Sequence, residues 1–183
     1  MFARLPVILL GALLSVAACA QEQKDATASA PVAAEAGKNY FLIEPPQPTS
    51  SGDKIEVLEV FSYACVHCAH FQPYADEIKS KLPAYAQFEY LPAIFNDQWE
   101  AYARAFYCAQ SLGVLDKTHQ AVFNAVHRDH RPFRSFNDIA AFYGEQGVDS
   151  EKFTQLATSF EVQSKLARSK SLVPKLGVDG TPT

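Results

Sequence analysis

Residues 55–71 read IEVLEVFSYACVHCAHF, and the architecture of the chain follows from this stretch. Residues 55–63 are β-branched, aromatic and mostly apolar on both faces, a pattern that predicts a strand in the middle of a sheet. A helix should follow as far as residue 82. Its apolar face would consist of Cys68, Phe71, Ala75, Ile78 and Leu82. Pro73 should kink this helix and Pro83 should end it.

Two cysteines, Cys65 and Cys68, stand between the strand and the helix. A helix N-terminus carries partial positive charge and unpaired N–H groups, which stabilise a thiolate and lower the pKa of Cys65. His67 would add to this effect as an imidazolium or as an N–H donor. Because a stabilised thiolate favours the reduced protein, the disulfide form should be a strong oxidant. Cys68 lies on the apolar face and should act as a shielded resolving thiol.

The alternatives for this cysteine pair are a structural disulfide and half of a zinc site. Cys65, Cys68 and His70 could supply three zinc ligands, but no second Cys or His pair stands at the usual spacing. A haem attachment needs a histidine directly after the second cysteine, where Ala69 stands. The order of strand, cysteine pair and helix favours a redox dithiol and no metal site.

Glu59 is unusual because it interrupts an otherwise apolar strand six residues before Cys65. It could face solvent at a sheet edge. Alternatively, it is a buried carboxyl beneath the dithiol that moves protons to and from Cys68, since burial raises a carboxyl pKa. Glu56 lies three positions earlier and is interpreted as ordinary surface.

The rest of the chain predicts one short strand at residues 88–91 and then helices from Asn96 onward. The helices should cover residues 96–112 and 115–126, begin at a Ser135 capping box and at residues 149–150, and end with residues 162–173. Inward-facing residues should include Trp99, Tyr102, Phe106, Ala109, Leu112, Val122, Phe123, Val126, Phe153, Leu156, Ala157 and Phe160.

Several further side chains have two interpretations. Cys108 is expected to be a small buried hydrophobic residue, with a free thiol or an intermolecular bridge as the alternative. The histidines at 119, 127 and 130 are spaced like a metal cluster, but His127 and His130 are expected on a solvated helix end. The aromatic residues Tyr63, Phe71 and Tyr74 would either belong to the core or form the rim of a groove for apolar peptide.

The chain has 183 residues and a formal charge of −4, which fits one domain and argues against a nucleic-acid partner. Residues 1–20 have the pattern of an export signal. Cleavage after Ala20 fits the small-residue rule, whereas residues 16–19 resemble a lipobox that would make Cys19 a lipid anchor. Residues 21–37 are predicted to be a flexible linker. Export implies a compartment in which disulfides persist.

Residues 57–68, VLEVFSYACVHC, resemble the active-site segment of the DsbA family of thiol:disulfide interchange proteins. The segments GKNY at 37–40, HQAVFNAVH at 119–127 and VDGTPT at 178–183 also resemble that family. The likeness extends over residues 37–183.

This resemblance implies an α/β protein with a thioredoxin-like fold and an inserted all-helical domain. The thioredoxin-like domain would comprise residues 38–95 and 165–183, and the insert residues 96–164. The family continues with a pair of strands and a final helix, which we expect to be missing from this chain.

The family's functional residues carry over by position. Cys65 would be the nucleophilic thiol, Cys68 its partner in a redox disulfide, and Glu59 the buried carboxyl. Pro182 would be the cis-proline that faces the dithiol, and Thr181 would offer its backbone to substrate.

One position departs from the commonest family motif, which has proline between the first cysteine and the histidine where this chain has Val66. The change removes a rigid residue from the first turn of the helix. His67, the stronger determinant of thiolate stability in our interpretation, is kept.

The resemblance implies periplasmic donation of disulfides to reduced, unfolded exported proteins, without a cofactor. A membrane quinone-linked partner of the DsbB type would reoxidise the dithiol. A disulfide isomerase or reductase is the alternative enzyme, although residues 21–54 are too short and polar for the dimerisation domain that those enzymes commonly carry. The alternative outside enzymes is a lipid-anchored binding protein with a degenerate redox site.

Overall fold

A computed structural model describes residues 33–183 of the chain. The predicted signal at residues 1–20, Cys19 within it, and residues 21–32 of the predicted linker lie outside the described residues. The described residues fall into two units, which divide between Phe41 and Leu42. In the first unit, residues 33–41 are exposed and form a turn closed by a bridge between Ala36 and Tyr40.

The second unit begins with the predicted order of strand, cysteine pair, helix and strand. Strand β1 spans Ile55–Phe61, helix α1 spans Val66–Lys81, and strand β2 spans Ala86–Pro92. The two strands pair in parallel, with Glu59 opposite Tyr90. On the other edge of β1, Val60 and Thr183 exchange two backbone hydrogen bonds of 2.8 and 3.1 Å. Within residues 33–183 the sheet has two strands, β1 and β2, so the predicted central position of β1 holds at Val60, where Thr183 pairs with its other edge.

The remaining elements are helical, as predicted, and their bounds are close to the expected ones. Helix α2 begins at an Asn96 cap, and the predicted Ser135 capping box is present with Asp138 as its second member. The predicted helix at 115–126 ends earlier in α-helical form and continues as a π-helix. The elements are α2 Asp97–Ser111, α3 Leu115–Phe123, the π-helix Asn124–Arg128, α4 Phe136–Glu145, α5 Ser150–Leu156 and α6 Phe160–Lys175.

Two predictions about which residues face inward were wrong. Phe160 is 88% exposed, because it is the first residue of α6 and the helical period of α5 does not continue across the break between them. Ile78 is 37% exposed, whereas Gln72 is buried. The Lys79 side chain, rather than Ile78, covers the ring of Tyr90, 4.7 Å from its centroid. Helix α1 runs without interruption through Pro73.

The core consists of two clusters, one on each face of the sheet, because successive strand residues point to opposite sides. On one face, Phe61 packs edge-on against the ring of Phe106 at 5.3 Å, among residues from helices α1 to α6. Cys108 is fully buried in this cluster, as expected for a small hydrophobic residue. On the other face, Val60 packs with residues that include Leu172 of α6. The end of β1 that leads to the dithiol is therefore packed against a hydrophobic cluster on each face of the sheet.

We predict that Phe106→Ala lowers the free energy of unfolding by about 3–5 kcal/mol, because it leaves a cavity in the main cluster. The matched control is Phe160→Ala, the same chemical change at an exposed position, which should alter stability by less than about 0.5 kcal/mol. Urea unfolding followed by circular dichroism measures both. Equal losses for the two variants would contradict the described core.

Candidate active site at the Cys65–Cys68 dithiol

Cys65 is the N-cap residue of α1. Its backbone is extended, with φ −93° and ψ 114°, and its Sγ accepts the N–H of Cys68 at 3.4 Å. The turn before it is closed by two further bonds: the Cys65 N–H donates to the Ser62 carbonyl at 3.0 Å, and the Ala64 N–H donates to Ser62 Oγ at 3.1 Å. The cap places the sulfur of Cys65 against the free N–H groups of the helix, as the sequence predicted.

The pKa of the Cys65 thiol lies below its ordinary value, as the net of opposing effects. Burial is the largest single effect and would raise the pKa. Hydrogen bonds from the Thr181 side chain, from Cys68 and from the backbone N–H of His67 together outweigh it. Stabilisation by hydrogen bonds to the charged form therefore determines the direction of the shift.

Cys68 has the opposite character. It is fully buried, and burial raises the pKa of its thiol to about 12. The neighbouring Cys65 raises that pKa further, while hydrogen bonds from the Ser62 backbone and the Thr181 side chain lower it. Both cysteines are free thiols in this structure. The reduced pair is thus divided into one group that ionises readily and one that keeps its proton.

The segment Thr181–Pro182 meets the dithiol although it is far away in the sequence. The Cys65 thiol donates to the Thr181 carbonyl at 3.3 Å, and the peptide bond between Thr181 and Pro182 is cis. Thr181 Oγ1 is buried and has no hydrogen-bond partner while Cys65 is a thiol. The hydroxyl is therefore available as a donor when Cys65 becomes a thiolate.

The His67 side chain is exposed, and its backbone N–H provides one of the hydrogen bonds that lower the pKa of Cys65. Val66, at the position where the family commonly has proline, is also exposed. The helix N-terminus thus supplies the polar contacts of the Cys65 sulfur through backbone groups.

Glu59 is 4% exposed, so the interpretation that it faces solvent was wrong. Neither carboxyl oxygen has a hydrogen-bond partner. Burial raises the pKa of Glu59 from 4.5 to about 7; Lys79 lowers it and Asp76 raises it by smaller amounts. A carboxyl with this pKa exchanges its proton near neutral pH. Glu56, by contrast, accepts hydrogen bonds from Ser50 near the surface.

Two histidines near the dithiol were not recognised from the sequence as neighbours of the active-site segment. His119 is buried, and its Nδ1 lies 2.8 Å from the Tyr63 hydroxyl. His127 Nε2 lies 2.8 Å from the Tyr63 carbonyl, so the prediction that His127 is on a solvated helix end was wrong. His130 is exposed, as predicted. The sequence did carry one signal for both histidines: His119, Phe123 and His127 are four residues apart and therefore share one helical face.

Burial lowers the pKa of His119 to about 3, with a smaller lowering effect from Lys79 and an opposing one from Asp76. The imidazole is therefore neutral at pH 7.

Within residues 33–183, no three His, Cys, Asp or Glu side chains come close enough together to hold a metal ion, so Cys65, Cys68 and His70 do not form such a set. No helix in the same range is long and apolar enough to cross a membrane.

Comparison with known proteins agrees with this geometry. Residues 56–183 match the family model of the DSBA-like thioredoxin domain. The thiol:disulfide interchange protein DsbA of Pseudomonas aeruginosa is 38% identical over 148 residues, which cover 81% of this chain and 70% of that protein. The protein of the same name from Pseudomonas syringae pv. tomato is 35% identical over 171 residues, which cover 93% of this chain and 80% of that one.

Solved structures give the same result. The crystal structure of Pseudomonas aeruginosa DsbA superimposes with a TM-score of 0.76 at 37% identity, covering 82% of this chain and 78% of that one. The Xylella fastidiosa oxidoreductase DsbA superimposes with a TM-score of 0.68 at 32% identity, covering 72% of each chain. The chain therefore has the thioredoxin fold of these proteins and belongs to the DsbA family of thiol:disulfide oxidoreductases.

Proposed function

We propose that this chain donates the Cys65–Cys68 disulfide to proteins that carry pairs of reduced cysteines. The observation that carries the proposal is the position of Cys65 as the N-cap of α1, where its sulfur accepts the Cys68 N–H, while Cys68 is fully buried. The two thiol pKa values shift in opposite directions as a result, lowered at Cys65 and raised at Cys68. A stabilised thiolate makes the reduced protein the favoured state, so its disulfide passes readily to other thiols. The names of the relatives support the same reaction class.

The first step is attack of a substrate thiolate on the sulfur of Cys65 in the oxidised protein. The new bond joins the substrate to Cys65, and the Cys65–Cys68 bond breaks with its electron pair on Cys68. Cys65 is the more accessible member of the pair, because its exposed fraction is 9% and that of Cys68 is 0%. The Cys68 thiolate then takes up a proton, as its raised pKa requires.

In the second step, the other substrate thiolate attacks the substrate sulfur of the mixed disulfide. Cys65 leaves as a thiolate, which the N–H groups of α1 stabilise. The substrate loses two electrons, which the cysteine pair gains, and Cys68 retains one proton. A low pKa of Cys65 accelerates this step because a stable thiolate is a good leaving group.

Glu59 is proposed as the proton carrier for Cys68. Its carboxyl is buried, has no hydrogen-bond partner and titrates at about 7, so it can release or accept a proton at neutral pH. The proposed substrate contact is the Thr181–Pro182 segment. It lies against Cys65, and the Thr181 carbonyl becomes available to substrate once the sulfur no longer donates to it.

The cellular setting is proposed from the export signal and from the family. The protein would act in the periplasm, either free after cleavage at residue 20 or anchored through Cys19. A membrane quinone-linked protein of the DsbB type would restore the disulfide, and reduced exported proteins would be its substrates. Residues 96–164 would form the helical insert within a thioredoxin-like domain of residues 38–95 and 165–183. Isomerase or reductase activity is the alternative within the same chemistry.

We predict that Cys65→Ser abolishes oxidation of a reduced peptide that contains two cysteines. Cys68→Ser should instead trap a mixed disulfide when it is incubated with a peptide that carries a disulfide: the Cys65 thiolate attacks that disulfide, one peptide sulfur leaves as a thiolate, and no Cys68 thiol is present to release the adduct. The matched control is Cys108→Ala, which removes a buried thiol outside the pair and should retain transfer. Peptide oxidation and mass spectrometry of the adducts measure these outcomes. Transfer by Cys65→Ser, or zinc held stoichiometrically against chelator by the reduced protein, would contradict the proposal.

The raised pKa of Glu59 also predicts a pH dependence of stability. Between pH 4.5 and 7 the folded protein holds this proton more tightly than the unfolded chain, so ionisation of Glu59 costs stability as pH rises. Glu59→Gln should match the wild type near pH 4 and exceed its free energy of unfolding by up to about 3 kcal/mol above pH 7. Urea unfolding at several pH values measures this difference.

The difference between variant and wild type is the appropriate quantity, because burial lowers the pKa of His119 from 6.5 to about 3 on folding, and this adds the same further pH dependence to the stability of both proteins. Glu56→Gln, on the same strand, is the control and should show no such growing difference because Glu59 is intact. A constant difference between Glu59→Gln and wild type from pH 4 to 8 would show that Glu59 does not have the raised pKa. Slower peptide oxidation by Glu59→Gln, by about tenfold or more, would accompany loss of proton transfer.

A further inference from the structure

The peptide group between Tyr63 and Ala64 is bound at both polar ends by side chains. Its carbonyl oxygen lies 2.8 Å from His127 Nε2, and its N–H donates to Ser62 Oγ at 3.1 Å. The next residue along the chain is Cys65, whose own N–H donates to the Ser62 carbonyl. The orientation of this peptide group therefore sets the path of the backbone into the N-cap of α1.

The contact from His127 has a defined direction. A carbonyl oxygen can only accept, so Nε2 carries the proton and donates. His127 lies in the π-helix Asn124–Arg128, and its ring stacks on Phe123 with 6.3 Å between centroids and 29° between planes. The imidazole is held on one side by an aromatic ring and at Nε2 by the Tyr63 carbonyl. It is thus a fixed donor rather than a mobile surface group.

The side chain of Tyr63 is held from the same helical segment. Its hydroxyl lies 2.8 Å from His119 Nδ1, and its ring packs edge-on against Phe61 at 5.3 Å and against Phe123 at 5.0 Å. Tyr63 is fully buried. Two histidines of residues 115–128 therefore bind this residue, one through its backbone and one through its side chain, two positions before the reactive cysteine.

We propose that His127 is a positioning residue that fixes the turn at residues 62–65 and thereby places the Cys65 sulfur against the N-terminus of α1. The helical segment around His127 thus contributes to the redox character of the dithiol through the turn that leads to Cys65. This inference rests on the proposed function, since it concerns the same cysteine pair. It assigns His127 no contact with substrate.

Loss of the donor should act on the sulfur through the backbone. Without His127 the Tyr63 carbonyl is buried without a partner, which costs free energy that the turn can relieve by rotating the peptide group. Rotation would move Cys65 from the extended geometry in which its Sγ accepts the Cys68 N–H at 3.4 Å. The thiolate would lose stabilisation, and the disulfide form would become a weaker oxidant.

The test compares His127→Leu, which removes the donor, with His127→Gln, whose side-chain amide can occupy the place of Nε2. Two quantities are measured on folded protein: the pKa of Cys65 by pH-dependent alkylation and the equilibrium constant of the dithiol with glutathione. His127→Leu should change the acid dissociation constant of Cys65 and the equilibrium constant with glutathione by about threefold to tenfold each, which corresponds to the free energy of one hydrogen bond. The pKa should rise, the disulfide should oxidise less strongly, and His127→Gln should restore most of the difference.

Val122→Ala is the control for a loss of stability alone. It truncates a buried side chain of α3 that makes no hydrogen bond, so it should lower stability without changing either quantity. Ser62→Ala is a second variant, at the other end of the same peptide group, and should shift both quantities in the direction of His127→Leu. It keeps the inference testable if His127→Leu does not fold.

Two results would overturn the inference while leaving the proposed function intact. In the first, wild type transfers disulfides but the folded His127→Leu and Ser62→Ala variants keep wild-type values within twofold. In the second, Val122→Ala shifts them as strongly as His127→Leu. If wild type itself shows neither a lowered Cys65 pKa nor transfer, the proposed function fails and this inference fails with it.

Discussion

The hydrogen bond from the Cys68 N–H to the Cys65 sulfur connects the folding of this protein to its chemistry. A helix N-terminus needs an acceptor, and serine, threonine or aspartate usually provides one. Here the acceptor is the sulfur of Cys65, which is neutral in the disulfide and negative in the thiolate of the reduced protein. The same contact that begins α1 therefore becomes stronger when Cys65 is a thiolate, because a charged acceptor binds an N–H more tightly than a neutral one.

Other features of the site confine ionisation to Cys65 and hold its sulfur at this contact. Complete burial keeps Cys68 protonated, so only one of the two sulfurs ionises readily. The turn before Cys65 is closed by two hydrogen bonds to Ser62 and is bound to the helical segment through Tyr63. Thr181 approaches from the far end of the described chain, where Thr183 pairs with β1. Elements distant in the sequence thus converge on a single sulfur atom.

The sequence was informative wherever the physics is local. The β-branched and aromatic residues predicted β1, and helical spacing predicted α1 with the cysteine pair at its start, because strand and helix preferences act over a few residues. It did not predict that His127 binds Tyr63, because the two residues are 64 positions apart and only packing unites them. The burial of Glu59 was left open for the same reason: a strand pattern shows alternation but not what covers each face. Phe160 was misplaced because a helix break resets the period.

The pKa of Cys65 in the folded wild-type chain tests the central claim most directly. It is measured by pH-dependent alkylation with site mapping, on protein whose helical content is verified by circular dichroism. The account predicts a value clearly below that of a free cysteine, which is about 8.5. A value at or above 8.5 in the folded chain would show that burial outweighs the hydrogen bonds at the helix N-terminus, and would contradict the proposed role as a disulfide donor.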